Sequence, residues 1–157
     1  MRLFAFAPPG EQVFRSEQRI DRPLPVVFDF FSQAANLQRI TPPWLSFSIL
    51  GTPPATVQTG TVIPYRLRLH GVPLIWVSQI EAFEPERMFV DRQLIGPYKL
   101  WVHTHSFQAD GEQTIIRDEV RYQLPLGRLG ALAQDIFVRR DVERIFAYRR
   151  TSIEGLI

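Results

Sequence analysis

"KLWVHTHSFQADGEQTIIRDEVRYQL", residues 99–124, contains two apolar and aromatic runs separated by a short polar segment. Asp110, Gly111, Glu112 and Gln113 are turn-forming in composition, and the flanking runs alternate with a period of two, so the stretch predicts an antiparallel hairpin. If those four residues form the loop, Phe107 lies opposite Ile116, His105 opposite Asp118, His103 opposite Val120 and Trp101 opposite Tyr122. Arg117, Glu119 and Arg121 then share the solvent face of the last strand. His103 and His105 are left pointing inward, on a greasy wall with a polar cluster of His103, His105, Asp118 and Tyr122. Buried polar groups need partners. A His105–Asp118 hydrogen bond is expected to fix the imidazole tautomer and favour its charged form, against the opposing effect of burial.

Outward from this hairpin the pattern repeats. In TVIPYRLRLH, Ile63, Tyr65, Leu67 and Leu69 share one face while Arg66, Arg68 and His70 take the other, predicting a half-buried strand with His70 turned away from the greasy side. LIWVSQIEAF continues as a strand to about Phe83, with Trp76, Ser78 and Ile80 inward, and MFVDRQLI is a further strand. Asp91 and Gln93 join the inner face if the Gly96-Pro97-Tyr98 turn holds three residues. Toward the start, QVFRSEQRI predicts a first strand anchored by Val13 and Ile20. Two short helices follow, with Pro25 in the first turn and Pro42-Pro43 stopping the second. A brief strand is expected near residues 46–50.

The chain is expected to close with a helix from about Leu129 to Ile153. Val138, Val142, Ile145 and Phe146 fall on one helical stripe that Arg149 continues; Leu129, Leu132, Ile136 and Phe137 occupy a neighbouring face. The order strand, two short helices, six strands, long helix implies an α+β fold in which one helix covers a curved antiparallel sheet. A single helix across a wide concave sheet leaves a cavity between the two.

Composition sets the outer bounds. At 157 residues, 45% hydrophobic and 22% charged, the chain is expected to form one domain over 1–157. It has no cysteine, which excludes disulfides, thiolate metal sites and a cysteine nucleophile. No apolar run reaches the 18 or so residues of a membrane helix, and MRLFAFAPPG lacks the apolar segment of a secretion signal, so a cytoplasmic protein without stable membrane insertion is expected. The pI near 9.4 reflects a net charge of only +2, and the basic residues are scattered rather than striped, which argues against nucleic acid. GTPPATVQTG has neither the lysine nor the spacing of a phosphate-binding loop, and no dinucleotide fingerprint or nucleophile elbow occurs; no cofactor is expected.

Four stretches, "FDFFSQAANLQRITPPWLSF", "FVDRQLIGPYKLWVHTHSF", "RDEVRYQLPLG" and "FVRRDVERIFAYR", resemble the START-like or Bet v 1-like superfamily (SRPBCC), in particular bacterial polyketide cyclase/dehydrase-like ligand-binding proteins. The resemblance spans about residues 13–149 and implies a helix-grip fold: a seven-stranded antiparallel sheet wrapped around a long C-terminal helix, with two small helices closing one end. Such relatives bind lipids, sterols, polyketides, quinones or plant hormones, and some catalyse cyclisation or dehydration. The resemblance implies pocket positions for Trp101, His103, His105, Asp118 and Tyr122. The face pattern adds Tyr65, Leu67, Trp76, Ser78, Phe107, Val120, Val138, Val142, Ile145 and Phe146 as expected ligand contacts.

Three functions fit these residues. The first is enclosure of a hydrophobic small molecule, its polar end held by His103, His105, Asp118 and Tyr122. The second is a cyclase, dehydratase or isomerase, in which the same four residues are the catalytic candidates: a His–Asp pair abstracts a proton beside a ketone, and Tyr122 or the second imidazole holds the developing oxyanion. The third is a protein-interaction module with a filled core. Two imidazoles on one strand can ligate zinc, but a stable site wants a third ligand, for which Asp118 is the evident choice; no resident metal is expected. Arg149 is read as reaching past the apolar stripe to solvent, with a ligand carboxylate as the alternative partner. Pro42-Pro43-Trp44 is read either as a lid over the cavity or as a plain helix stop.

Overall fold

Side-chain alternation builds one sheet in the computed structural model, which describes residues 10–125, 127 and 137–157. The strands are β1 (Gln12–Ile20), β2 (Ser48–Ile49), β3 (Val62–Leu69), β4 (Val72–Glu84), β5 (Met88–Ile95), β6 (Leu100–Asp110) and β7 (Gln113–Gln123). They lie in the order β1-β7-β6-β5-β4-β3-β2, every neighbour antiparallel. The helices are α1 (Leu24–Ser32), α2 (Ala34–Arg39) and α3 (Arg139–Glu154). This is the helix-grip architecture, with β1 carried across to pair with the last strand.

Local chemistry explains the joints. Pro25 sits in the first turn of α1, where its missing N–H is not required. Gln33 is extended between α1 and α2, and Asn36 Nδ2 donates back to the Phe30 carbonyl at 2.9 Å, setting the angle between the two helices. His70 and Gly71 both take positive φ (48° and 81°), the two-residue turn whose twist suits a tight hairpin between β3 and β4. Register shifts between Val77 and Ser78 and between Ile80 and Ala82 bend β4 against β5, which deepens the concave face.

The pairing of β6 with β7 follows the expected register, with Phe107 opposite Ile116, His105 opposite Asp118, His103 opposite Val120 and Trp101 opposite Tyr122. The loop is shorter than expected: Asp110 pairs with Gln113, so only Gly111 and Glu112 turn. On β1 the anchor is Phe14, not Val13. Val13 is exposed because the odd positions of β1 face water, where Arg15 pairs with Glu119 at 2.9 Å and Glu17 with Arg117 at 2.8 Å.

Under the sheet lies an aromatic core. Phe28 of α1 meets Phe107 edge-on at 5.1 Å and Phe83 at 5.5 Å, geometries that add attraction beyond area burial. The helix α3 buries Val142, Phe146 and Ile153 and is tied to β1 by Arg150, whose Nη2 donates to the Glu17 carbonyl at 2.6 Å. Its expected start at Leu129, with Leu132 and Ile136, lies outside the described residues; Phe137 is exposed. No described helix is long and apolar enough to cross a membrane.

Candidate functional site

A cavity of about 190 Å³ separates the concave face from α3. Tyr65, Leu67, Trp76, Ser78, Trp101, His103 and His105 line it from the sheet, and Val142, Ile145 and Phe146 from α3. Phe107, Asp118, Val120, Tyr122 and Val138 are not on its wall. Phe107 belongs to the aromatic core under α1, while Val120, Tyr122 and Val138 pack with Val142 and Phe146. Residues not anticipated for the wall include Phe31, Leu45, Phe47 and Phe89, together with Asp91 and Arg149.

The polar end of the cavity is formed by Asp91, His103 and His105, which with Asp118 make a ring of four side chains from three adjacent strands. His103 Nε2 lies 2.8 Å from Asp118 Oδ1, and His105 Nε2 lies 3.0 Å from Asp91 Oδ2. The expected His105–Asp118 pair is therefore rearranged. His105 Nδ1 does stand 3.0 Å from Asp118 Oδ1, but off the hydrogen-bond axis, so the contact is electrostatic and the aligned bond to Asp118 comes from His103. Asp91 is the fourth member because the β5–β6 pairing puts it opposite His103. Gln93 turns aside instead, bracing the hairpin end by donating to the Tyr98 carbonyl at 2.7 Å and accepting from the Tyr98 N–H at 3.2 Å.

The imidazoles are close, with ring centroids 3.7 Å apart, and each is braced by an aromatic ring: His105 stacks on Phe89 at 4.3 Å and His103 meets Phe146 edge-on at 5.4 Å. Their proton affinities diverge. For His103, burial and then the neighbouring His105 push the pKa down, outweighing the hydrogen bond to Asp118. For His105, burial also pushes down, but the two carboxylates Asp118 and Asp91 outweigh it and the net shift is up. Asp118 and Asp91 are raised by burial and lowered further by the imidazoles, ending below the usual carboxylate range.

Proton positions follow. An ionised Asp118 can only accept, so the 2.8 Å contact requires a proton on His103 Nε2. A neutral His103 then carries a bare lone pair on Nδ1, 3.6 Å from Asp91 Oδ2 and beyond hydrogen-bond reach. Next to this base stands His105, whose charged form the two carboxylates favour. An acid and a base of the same residue type, separated in affinity by their surroundings, share one wall of an otherwise apolar cavity.

Two further polar groups face the space. Tyr65 Oη is 3.3 Å from Ser78 Oγ, and burial, then the Asp91 charge, push its pKa up, so it stays protonated. Trp76 Nε1 donates to the same serine at 3.0 Å. His70, turned outward as expected, instead meets Asp141 of α3 with Nε2 2.7 Å from Oδ2, fastening the tip of the β3–β4 hairpin to the helix.

Asp91, His103 and His105 also offer ligand atoms within 4.8 Å of one another, so Asp91 supplies the third protein ligand that Asp118 was expected to provide. A tetrahedral zinc ion with bonds of about 2.0–2.1 Å needs its ligands about 3.3 Å apart, so the cluster would have to tighten and give up its internal hydrogen bonds to hold one.

The family model described as polyketide cyclase / dehydrase and lipid transport matches residues 20–147. No curated protein sequence matches the chain. Among solved structures, the ZhuI aromatase/cyclase from Streptomyces sp. R1128 superposes with a TM-score of 0.74 at 16% identity, over 92% of each chain. The major latex-like protein 151 from Panax ginseng gives 0.68 at 14% identity, over 93% of this chain and 97% of its own. The nucleoside-diphosphate sugar epimerase from Corynebacterium glutamicum gives 0.65 at 21% identity, over 90% of this chain and 28% of its own. At these identities the likeness is one of fold.

Proposed function

Because the chain belongs to the polyketide cyclase / dehydrase and lipid transport family, we propose that it encloses a hydrophobic small molecule, such as a lipid, a quinone or a polyketide-like aromatic, between the sheet and α3. The cavity carries this reading: aromatic and aliphatic walls converge on one polar end formed by Asp91, His103 and His105. Burying about 300 Å² of apolar ligand surface supplies roughly 7 kcal/mol before the entropic cost of association, enough for useful affinity when the polar end is also satisfied. A location in the cytoplasm and the absence of a nucleic-acid partner accompany this reading. The open interior speaks against a module whose core is filled by its own side chains. Protein purified without added ligand, extracted with organic solvent and examined by mass spectrometry, is expected to release a lipophilic compound or to take up a neutral lipophilic fluorophore. Failure of both would overturn the proposal.

A second reading, enzymatic, is favoured by the placement of two adjacent imidazoles on the cavity wall, each on its own carboxylate, whose surroundings push their proton affinities in opposite directions. His103 Nδ1 would take a proton from the carbon beside a ketone as that C–H bond breaks, and His105 would donate to the enolate oxygen. Tyr122 lies off the cavity wall, so the oxyanion role falls to His105. α-Tetralone in D2O reports this directly: the protein should speed deuterium uptake at the α-carbon and His103→Gln should not. Exchange no faster than in buffer would exclude this chemistry.

A further inference from the structure

Arg149 sits on α3 at the cavity wall, its guanidinium carbon 5.3 Å from the Phe146 ring centroid. Its Nε and Nη1 are sealed from solvent and have no hydrogen-bond partner among the described residues. The side chain is half-buried, and the apolar stripe leads these two nitrogens along the cavity wall rather than out to water.

Its charge acts on Asp91 from a distance, but no carboxylate of the site is in ion-pair or hydrogen-bond contact with these two nitrogens. Asp91 spends its Oδ2 on His105 at 3.0 Å, and Asp118 is not on the cavity wall but binds His103 at 2.8 Å. Asp141 also lines the cavity but is engaged by His70 at 2.7 Å. Among the described residues of the wall, Arg149 is the cation with no counter-charge in contact.

Resting on the enclosure of a hydrophobic molecule argued above, we propose that the natural ligand is an acid: an apolar body bearing one anionic oxygen group, a carboxylate in the simplest case, that accepts the unused N–H donors of Arg149. The apolar body occupies the aromatic end near Trp76 and Phe146, and the anion lies beside the helix rather than against the imidazole pair. Charge-assisted bonds to buried guanidinium donors are the strong kind, so the group at the ligand's end, more than its length, is expected to decide selectivity.

Dodecanoic acid and dodecan-1-ol, equal in chain length and differing in the terminal group, separate the possibilities. Each is titrated at pH 8 against protein loaded with the neutral fluorophore N-phenyl-1-naphthylamine. The wild type is expected to hold the acid about tenfold or more tightly than the alcohol. Arg149→Met is expected to erase that preference while keeping alcohol affinity within about threefold, and Arg149→Lys to recover part of it. Equal affinities in the wild type, or an acid preference that survives in a folded Arg149→Met, would overturn the inference and leave the enclosure reading standing. A wild type that takes up neither the fluorophore nor either dodecyl compound would overturn both.

Discussion

Asp91 and His105 are hydrogen-bonded at 3.0 Å although they are not cross-strand partners: His103 lies opposite Asp91, and Phe89 lies opposite His105. The bond runs diagonally across β5 and β6 and makes the carboxylate common to both imidazoles. Asp118 does the same from β7, 2.8 Å from His103 and 3.0 Å from His105. The two carboxylates thus bracket two closely spaced, tilted rings, an arrangement whose stability depends on Asp91, Asp118 and His105 keeping their charge while His103 stays neutral.

Asp118→Asn removes one bracket. Breaking a buried ion pair on one side typically costs about 3–5 kcal/mol, because the partner is left charged without compensation. Urea unfolding is expected to show a loss of that order, and the His105 pKa, followed by NMR of its ring protons, is expected to fall. A neutral effect on both would mean that the cluster is not charged in the folded protein.

The pH dependence of stability has a definite sign on each side. Asp118, Asp91 and His103 all have depressed folded pKa values, so their contributions are present above the unfolded values and lost as pH falls, first through His103 below about 6.5 and then through the carboxylates below about 4. His105 has a raised value, so its contribution is full below about 6.5 and disappears as pH rises through the higher folded value. Thermal unfolding from pH 4 to 9 should therefore show a maximum near neutrality, and His105→Asn should remove the alkaline decline. A wild-type curve flat above neutrality would contradict the assignment.

Ile153 and Ile145 both lie on α3, but the first is 1% exposed in the core and the second lines the cavity. Ile153→Ala is expected to cost about 2–5 kcal/mol by leaving an unfilled hole. Ile145→Ala enlarges a space that is already open, so its cost should be nearer 1 kcal/mol and the size of ligand accepted should grow. Calorimetry and probe uptake on the pair give the comparison; equal destabilisation would place both in one packed core.

Trp44 packs edge-on against Tyr148 at 5.7 Å, with the Arg144 guanidinium carbon 4.9 Å from its ring centroid. Both partners belong to α3, so the Pro42–Leu45 segment is docked on the helix beside Leu45 and Phe47 of the cavity wall. An exposed cation–π contact is worth about 0.5–1 kcal/mol, too little to change the fold but enough to hold a closing loop. Trp44→Ala is expected to speed release of a bound fluorophore severalfold in stopped flow while leaving the unfolding midpoint nearly unchanged. An unaltered release rate would make the segment a plain helix stop.

Much of this architecture is legible along the chain because its causes are local. The 99–124 hairpin declares its register through turn residues and a period of two, and shortening the loop from four residues to two leaves every pairing in place, since the strands gain one residue symmetrically at each side. Val13 misleads for a simple reason: β1 has a serine and two glutamines among its inward residues, so hydrophobicity alone does not reveal which face Phe14 takes.

The amino-acid sequence by itself determined the strand and helix order, the inward aim of His103 and His105, and the apolar stripe of α3, because each follows from periodicity within a few residues. Only the tertiary structure decided that Asp91 completes the cluster, that His103 rather than His105 makes the aligned bond to Asp118, and that Arg149 turns two buried, unpartnered nitrogens along the cavity wall. Those outcomes depend on separations of about 3 Å between side chains from different elements, and such distances are set by how the sheet curves and where the helix settles across it.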